Sequence, residues 1–250
     1  MKTWFVDRFK KWLLRQGYVF SKPLFHQENE IDLRLLLAER LETVRKPLSV
    51  VQIGANDGVA NDPLRHVVVS RGWHLLAVEP LAPAFARLVE NYRSFPSVNC
   101  VRCAVSNEDG EATLYSLAAS NEGDGEGQLA SFSLKTLKRH RCHIADFDNR
   151  LQTTKVRALT LRTLLLENQV DCVDMLQVDT EGFDYEVIKM AFDMGLKPPI
   201  LAFEWEHLDL ITMWECRQLL IKNGYRWLVV KGDVIAAQES LLVDWNNRAD

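Results

Sequence analysis

Residues 48–63 read LSVVQIGANDGVANDP, an apolar run that leads into two closely spaced glycines. Residues 48–53 are rich in valine and isoleucine, which is typical of a buried strand. Asp62 followed by Pro63 indicates a helix start, because an acidic N-cap and a proline at the first helical position are both favoured there. The stretch therefore predicts a strand, a tight glycine turn and a helix, the opening unit of an α/β sheet.

The same alternation continues along the chain. Further apolar runs predict strands at residues 75–78, 98–105, 173–178 and 200–203. Alternating patterns predict two more strands, an exposed one at residues 111–115 and another at residues 155–159. Apolar periodicity and end signals predict helices at residues 83–92, 161–167, 184–193 and 210–223. Residues 227–230 and 234–237 flank a Gly-Asp pair and predict a closing hairpin. Strands that alternate with helices favour a mostly parallel sheet with helices on both faces.

Two parts of the chain are distinguished. Residues 1–47 are helical in pattern, and residues 31–44 carry apolar side chains near a 3.6-residue period. Residues 48–250 contain the alternating elements, with no linker that would separate two units. We therefore expect a helical extension over residues 1–47 and a single domain over residues 48–250.

Composition narrows the class of protein. The chain has 250 residues, 47% of them hydrophobic and 26% charged, which is ordinary globular composition. Lys and Arg number 30 and Asp and Glu 34, so the net charge is −4 and a general nucleic-acid binder is disfavoured. The five cysteines form no dense framework, which fits a reducing, cytoplasmic location. No apolar run reaches the 18 residues of a membrane span.

The first 16 residues are amphipathic. Phe5, Phe9 and Trp12 lie near one face of a helix, and lysines and arginines crowd the other faces. Such a helix can lie in a membrane interface or pack on a protein surface, so peripheral membrane contact through residues 1–16 stays open beside simple packing.

Acidic residues follow the predicted strands. The strand ends read GANDG at residues 54–58, EP at 79–80, DTEG at 179–182 and EWEH at 204–207. In sheets of this class the ligand binds beyond the carboxyl ends of the strands, near the point where the strand order reverses. The four segments therefore predict one site.

The glycine loop matches neither common phosphate-binding pattern. Its G-x-x-x-G spacing differs from G-x-G-x-x-G and from the P-loop, and Asp57 would repel a pyrophosphate. Glu79 ends the next strand, where a carboxylate accepts both hydroxyls of a ribose. The pair predicts an adenosine-containing ligand with little negative charge, which describes S-adenosylmethionine and not NADP.

These segments resemble the FkbM family of class I methyltransferases. The matching blocks are VVQIGANDGVANDPL, AVEPLAPAFARLVENY, NCVRCAVSNEDGEATLY, LASFSL, VDMLQVDTEGFDYEVIK, ILAFEWEH and GYRWLVVKGDVIA, over about residues 48–238. The resemblance implies a doubly wound, mostly parallel seven-stranded α/β sheet with an antiparallel C-terminal hairpin. It also implies methylation from S-adenosylmethionine, most often of a hydroxyl on a sugar or polyketide, with a small-molecule or glycan acceptor.

By position, the resemblance implies a cofactor site in which the glycine loop cradles the methionine part, Glu79 holds the ribose and Asp179 lies under the sulfonium and the acceptor. The cofactor-binding set is Gly54, Ala55, Asn56, Asp57, Gly58, Glu79, Pro80, Ala104, Val105 and Asp179. The family often has an aliphatic residue where this chain has Asp57. Asp62 is interpreted mainly as a helix cap.

An alcohol acceptor needs a general base within hydrogen-bond reach. The catalytic candidates are Asp179, Glu181, Glu204 and His207. Alternatively, Asp179 and Glu181 would bind Mg²⁺, since carboxylate oxygens are its preferred ligands. His140, Cys142 and His143 match no common zinc spacing, so no metal site is expected from that cluster. Trp205 is a candidate for stacking on a sugar ring.

Other functions compete with this interpretation. An N-methyltransferase of the same fold is the nearest, although the DTEG strand end differs from the N-P-P-Y-like ends common among those enzymes. An NAD-dependent oxidoreductase is disfavoured by the missing third glycine. A non-catalytic protein that binds an adenosine ligand also stays open.

Overall fold

The computed structural model of this protein describes residues 32–118, 129–230 and 232–243. Residues 1–16, for which membrane contact is predicted, lie outside the described residues, as does most of the polar segment at 119–131. Among the described residues, no helix combines the length and apolar character that crossing a bilayer requires.

The elements follow the predicted order. The strands are β1 Ser49–Ile53, β2 His74–Val78, β3 Val98–Val101, β4 Ala104–Val105, β5 Gly110–Leu117, β6 Ala130–Ser131, β7 Leu151–Leu159, β8 Met175–Val178, β9 Ile200–Glu204, β10 Tyr225–Val230 and β11 Asp233–Gln238. The helices are α1 Leu33–Leu41, α2 Arg65–Arg71, α3 Ala82–Tyr92, α4 Leu134–Leu137, α5 Phe147–Arg150, α6 Leu161–Glu167, α7 Asp184–Asp193, α8 Leu210–Lys222 and α9 Glu239–Val243, and a 3₁₀ helix spans Lys138–Cys142.

Seven strands form the main sheet in the order β10-β11-β9-β8-β1-β2-β3. Neighbours from β9 to β3 are parallel, and β11 and β10 add antiparallel strands at one edge. The predicted fold class is confirmed. Since β2 and β3 extend from one side of β1 and β8 and β9 from the other, the strand order reverses between β1 and β8. The loops after these two strands therefore lie where this class of sheet binds its ligands.

A second, four-stranded sheet has the order β4-β7-β5-β6. It corrects the prediction of one strand over residues 98–105. Residues 98–101 pair with β2, whereas Ala104 and Val105 pair with β7. The two apolar stretches belong to different sheets, and no pattern along the chain distinguishes them.

Apolar side chains cover both faces of the main sheet. One cluster includes Val51, Ile53 and Phe203, and the other includes Val50, Met175 and Trp73. Leu37, Ala38 and Leu41 of α1 belong to the second cluster, so the described end of the helical extension packs on the domain. The division at residue 47 stays a prediction.

Candidate functional site

A cavity of ≈ 250 Å³ opens at the carboxyl ends of β1, β2 and β8. This volume is close to the lower end of the range for small-molecule sites, about 300–1,000 Å³. Its lining comprises Gln52, Ile53, Gly54, Ala55, Asn56, Ala60, Asn61, Asp62, Pro63, Glu79, Pro80, Ala104, Leu114, Leu129, Ala130, Phe132, Gln177, Asp179, Thr180 and Glu181. Seven of the ten predicted cofactor residues line this cavity: Gly54, Ala55, Asn56, Glu79, Pro80, Ala104 and Asp179.

Gly54 turns the chain out of β1 at a φ of +81°, a conformation that side chains rarely adopt. The amide groups of Gly54 and Ala55 both donate to the carbonyl oxygen of Val78 at 2.9 Å. A Cβ on Gly54 would lie 1.8 Å from the carbonyl oxygen of Asp179. Only glycine therefore allows the loops after β1 and β8 to meet.

Glu79 is buried at the end of β2. Its Oε1 accepts the amide hydrogen of Leu81 at 2.8 Å, and its Oε2 accepts that of Asn56 at 3.1 Å. Each oxygen keeps a further lone pair for a ligand hydroxyl. Burial raises the pKa of Glu79 to about 7, against the two backbone hydrogen bonds that lower it.

Asp57, Gly58 and Val105 lie outside the cavity lining. The Asp57 carboxylate turns into its own loop, where it accepts the amide hydrogens of Val59 and Ala60 at 2.9 and 2.8 Å. Gly58 lies against α3, and a Cβ there would be 2.4 Å from Cε2 of Tyr92. Asp57 and Gly58 therefore shape the loop, and Val105 belongs to the apolar core.

Asp62 lines the cavity, but it is not the helix cap that the sequence predicts, because α2 begins at Arg65 and its N-cap residue is Leu64. Asp62 instead stabilises the turn that leads into α2. Its Oδ1 accepts the amide hydrogens of Leu64 and Arg65 at 2.8 and 3.2 Å. Its Oδ2 accepts the hydroxyl of Tyr92 at 3.3 Å, which joins the glycine loop to α3.

The DTEG loop after β8 is held from two sides. Buried Asp184 accepts the hydroxyl hydrogen of Thr180 at 3.0 Å and the amide hydrogen of Gly182 at 3.2 Å. Ser131 donates its hydroxyl to the carbonyl oxygen of Glu181 at 2.7 Å. Glu181 has a φ of +52°, which is uncommon for a residue with a side chain. Such strain at a cavity is a frequent mark of a functional position.

The carboxylate of Asp179 lies at the centre of the site, where it is exposed to the cavity. Its amide donates to the carbonyl oxygen of Ile53 at 2.9 Å, which ties β8 to β1. Desolvation by the surrounding protein, together with the negative charges of Asp184 and Glu181, raises the pKa of Asp179 to about 7.

His207, Glu204 and Glu181 meet beside the cavity. His207 Nε2 lies 3.0 Å from Glu181 Oε2 and 3.4 Å from Glu204 Oε2. The carboxylate of Glu181, and then that of Glu204, raises the pKa of His207 against the opposing effect of burial. Burial and the charge of Glu181 raise the pKa of Glu204. Of the four catalytic candidates, Asp179 and Glu181 line the cavity, and Glu204 and His207 lie behind Glu181.

A family match decides the identity of the domain. The sequence model of the methyltransferase FkbM domain matches residues 52–226, more than half of the chain. The chain belongs to the FkbM methyltransferase family. Membership supports methyltransferase activity with S-adenosylmethionine as the methyl donor, and the observed sheet is the class I methyltransferase fold. The family resemblance predicted from the sequence is confirmed.

Solved structures give more distant likenesses. Methyltransferase FkbM from Methylobacillus flagellatus KT is 14% identical, with a TM-score of 0.45, and the match covers 76% of this chain and 42% of that one. Precorrin-6y C5,15-methyltransferase from Geobacter metallireducens GS-15 is 13% identical, with a TM-score of 0.41 and coverage of 88% and 92%. The N-terminal domain of human METTL16 in complex with SAH is 14% identical, with a TM-score of 0.42 and coverage of 90% and 76%. None of the curated proteins matches the chain.

This FkbM-family domain differs from the sequence prediction at Trp205. Only 7% of that residue is exposed, and its ring packs edge-on against Trp227 at 5.5 Å between centroids. It belongs to the core cluster, so the predicted stacking on a sugar ring is wrong. Trp205 stands between two acidic residues, and this local pattern does not indicate whether its side chain faces the core or the cavity.

Other residues that lie in or beside the cavity were not predicted from the sequence. Gln52 and Gln177 are buried polar side chains on neighbouring strands, and both line the cavity. Glutamine within an otherwise apolar strand was the available signal. The sequence predicts no metal site at His140, because its own segment matches no zinc pattern. In the structure, however, His140 Nε2 lies 3.7 Å from Glu181 Oε2.

Proposed function

We propose that this FkbM-family protein transfers a methyl group from S-adenosylmethionine to a hydroxyl of a sugar, glycoconjugate or polyketide-like acceptor. The observation that carries the proposal is the carboxylate of Asp179, which lines the cavity beside the glycine loop and is exposed there. A hydroxyl is a poor nucleophile until its proton is removed, and a carboxylate held at this position can accept that proton.

The cavity residues fit the methyl donor. Four carboxylates, those of Asp62, Glu79, Asp179 and Glu181, line the described part of the cavity without a lysine or arginine among them. Such a lining favours a cationic ligand and disfavours a phosphate. When bound, S-adenosylmethionine supplies a methyl group on a positively charged sulfur.

Each part of the cavity has a separate task in binding. Glu79 accepts the ribose hydroxyls with the lone pairs that its two backbone donors leave unused. Gly54 lets the backbone approach the ligand closely, since its loop carries no side chain at that point. Holding donor and acceptor in line supplies much of the acceleration in a transfer of this kind.

Cofactor binding is tested first by calorimetry with S-adenosylhomocysteine. Wild type is expected to bind in the micromolar range, Glu79→Ala to lose binding, and NAD to show none. A well-folded wild type that binds NAD and not S-adenosylhomocysteine would contradict the proposal.

Acceptor chemistry is tested with methyl-labelled S-adenosylmethionine and matched pairs of sugars that carry a hydroxyl or an amine at the same carbon. We expect label on the hydroxyl compound. We also expect Asp179→Asn to reduce kcat by about 10²-fold or more, the usual contribution of a general base, while retaining S-adenosylhomocysteine binding. Label on the amine compound alone would favour an N-methyltransferase, because the same carboxylates also attract an ammonium group.

A further inference from the structure

Three possible metal ligands converge from separate parts of the chain. His140 lies on the 3₁₀ helix Lys138–Cys142, Glu181 follows β8, and His207 follows β9. One ligand atom from each residue lies within 4.8 Å of the other two. Glu181 Oε2 is 3.7 Å from His140 Nε2 and 3.0 Å from His207 Nε2.

Polar atoms in this cluster lack hydrogen-bond partners. His140 Nε2, Glu181 Oε2 and Glu204 Oε2 are buried without one among the described residues. Glu181 and His207 are close enough for an ion pair, yet their atoms do not adopt hydrogen-bond geometry. Since buried polar atoms are nearly always satisfied in native proteins, the unpartnered atoms indicate a ligand between them.

The surrounding contacts fix the cluster in place. Arg139 donates from Nη1 to the carbonyl oxygen of His207 at 2.8 Å, which ties the 3₁₀ helix to the loop after β9. The rings of His140 and His207 pack edge to face at 5.3 Å between centroids. Ser131 holds the carbonyl oxygen of Glu181. The three ligands therefore come from segments that contact one another directly.

We propose that His140, Glu181 and His207 bind a divalent transition-metal ion of the zinc class. Ligands at about 2.0–2.2 Å around a tetrahedral ion are separated by roughly 3.3–3.5 Å. The observed 3.0 and 3.7 Å bracket that value. Two imidazoles and one carboxylate suit Zn²⁺ and its first-row neighbours, whereas Mg²⁺ prefers oxygen ligands alone.

The proposed site differs from the Mg²⁺ pair suggested by the sequence. It shares Glu181 with that pair but takes two histidines in place of Asp179. Three protein ligands leave a coordination position open, as in catalytic zinc sites. Because Glu181 also lines the cavity, an ion held here would lower the pKa of an acceptor hydroxyl that coordinates it. This catalytic role of the ion rests on the proposed function, whereas binding of the ion does not.

The test is metal titration of the full chain after removal of metal with a chelator. Zn²⁺ is followed by calorimetry, Co²⁺ by its visible absorption, and Mg²⁺ serves as the oxygen-preferring comparison. We expect one Zn²⁺ or Co²⁺ per chain and much weaker Mg²⁺ binding. His140→Ala and His207→Gln should each weaken Zn²⁺ binding at least tenfold. The matched control is His143→Ala, an exposed histidine close to His140, which should leave the Kd within about twofold.

Three results would overturn the site: no saturable binding of Zn²⁺ or Co²⁺, tighter binding of Mg²⁺, or wild-type Zn²⁺ affinity in both His140→Ala and His207→Gln. Thermal unfolding of every variant identifies loss of fold. Titration of the same samples with S-adenosylhomocysteine separates the two proposals. If the cofactor binds and Zn²⁺ does not, only the metal site fails; if Zn²⁺ binds and the cofactor does not, only the methyltransferase proposal fails.

Discussion

Gly54 and Asp179 meet at the point where the main sheet reverses its strand order. A Cβ on Gly54 would lie 1.8 Å from the carbonyl oxygen of Asp179, although the two residues are far apart in sequence. The loops after β1 and β8 therefore form one wall of the cavity. Under the proposed function, we expect both binding of the methyl donor and placement of the proposed base to depend on this contact.

Gly54→Ala should prevent this contact. Alanine at φ +81° is strained, and its Cβ would also displace the Asp179 carbonyl. We expect thermal unfolding to show a larger loss of stability than in the control variant Gly195→Ala. We also expect calorimetry to show at least tenfold weaker binding of S-adenosylhomocysteine.

The matched control is Gly195→Ala. Gly195 has a φ of +83°, but a Cβ there meets no atom within 4 Å. This variant should lose only roughly 1–2 kcal/mol of its free energy of unfolding, which is the cost of a left-handed backbone for alanine, and it should keep its cofactor affinity. Equal effects of the two variants would show that the approach to Asp179 has no importance of its own.

Cofactor affinity should rise with pH because of Glu79. Burial raises the pKa of Glu79 to about 7, and a ribose donates its hydroxyl hydrogens to the ionised form. Ionisation of this one group predicts about a tenfold fall in the Kd of S-adenosylhomocysteine between pH 6 and pH 8. Calorimetry across that range measures it.

Glu79→Gln separates this group from others that titrate nearby. The variant should bind S-adenosylhomocysteine more weakly and lose most of the pH dependence of its Kd. An unchanged pH dependence would show that another group causes the effect.

The raised pKa of Glu79 also affects the stability of the ligand-free protein. Its folded state holds the proton more tightly than the unfolded chain, so the Glu79 contribution to stability is present at low pH and lost as pH rises through about 7.

Asp184 should stabilise both the fold and the DTEG loop after β8. It is fully buried and accepts hydrogen bonds from Thr180 and Gly182. Asp184→Ala leaves those donors unsatisfied, so we expect a loss of about 1–3 kcal/mol in the free energy of unfolding. Asp184→Asn keeps an acceptor oxygen and should lose less in urea unfolding. A larger loss for asparagine than for alanine would contradict this role.

The effects on stability of substitutions at Gly58 and at Tyr92 should depend on each other. A Cβ on Gly58 would lie 2.4 Å from Cε2 of Tyr92, so Gly58→Ala forces the glycine loop away from α3. Adding Tyr92→Ala removes that contact and leaves Leu88 Cδ1, at 2.7 Å from the same Cβ, as the neighbour that must still shift. The double variant should therefore be more stable than the sum of the single changes predicts, by an interaction energy of about 0.5–3 kcal/mol. Additive losses would show that the contact with Tyr92 has no importance of its own.

Most of the fold could be predicted from local patterns. Residues 161–167 and 184–193 were predicted as helices with the observed bounds, since caps and apolar periodicity are local signals. The division of residues 98–105 between two sheets was not predicted, because pairing with β2 or β7 is decided by distant strands. The prediction for Trp205 was wrong for a similar reason, because its ring packs against Trp227 on β10, a later strand.

The sequence by itself determined the family and the alternating fold, and it predicted Gly54 and Glu79, which line the cavity, because both lie in short segments with recognisable spacing. Only the tertiary structure decided which residues meet beside the cavity. His140 comes from a segment whose spacing indicates no site, and it reaches Glu181 and His207 only because the 3₁₀ helix folds against the ends of β8 and β9. A constellation assembled from three separate segments has no spacing of its own in the sequence.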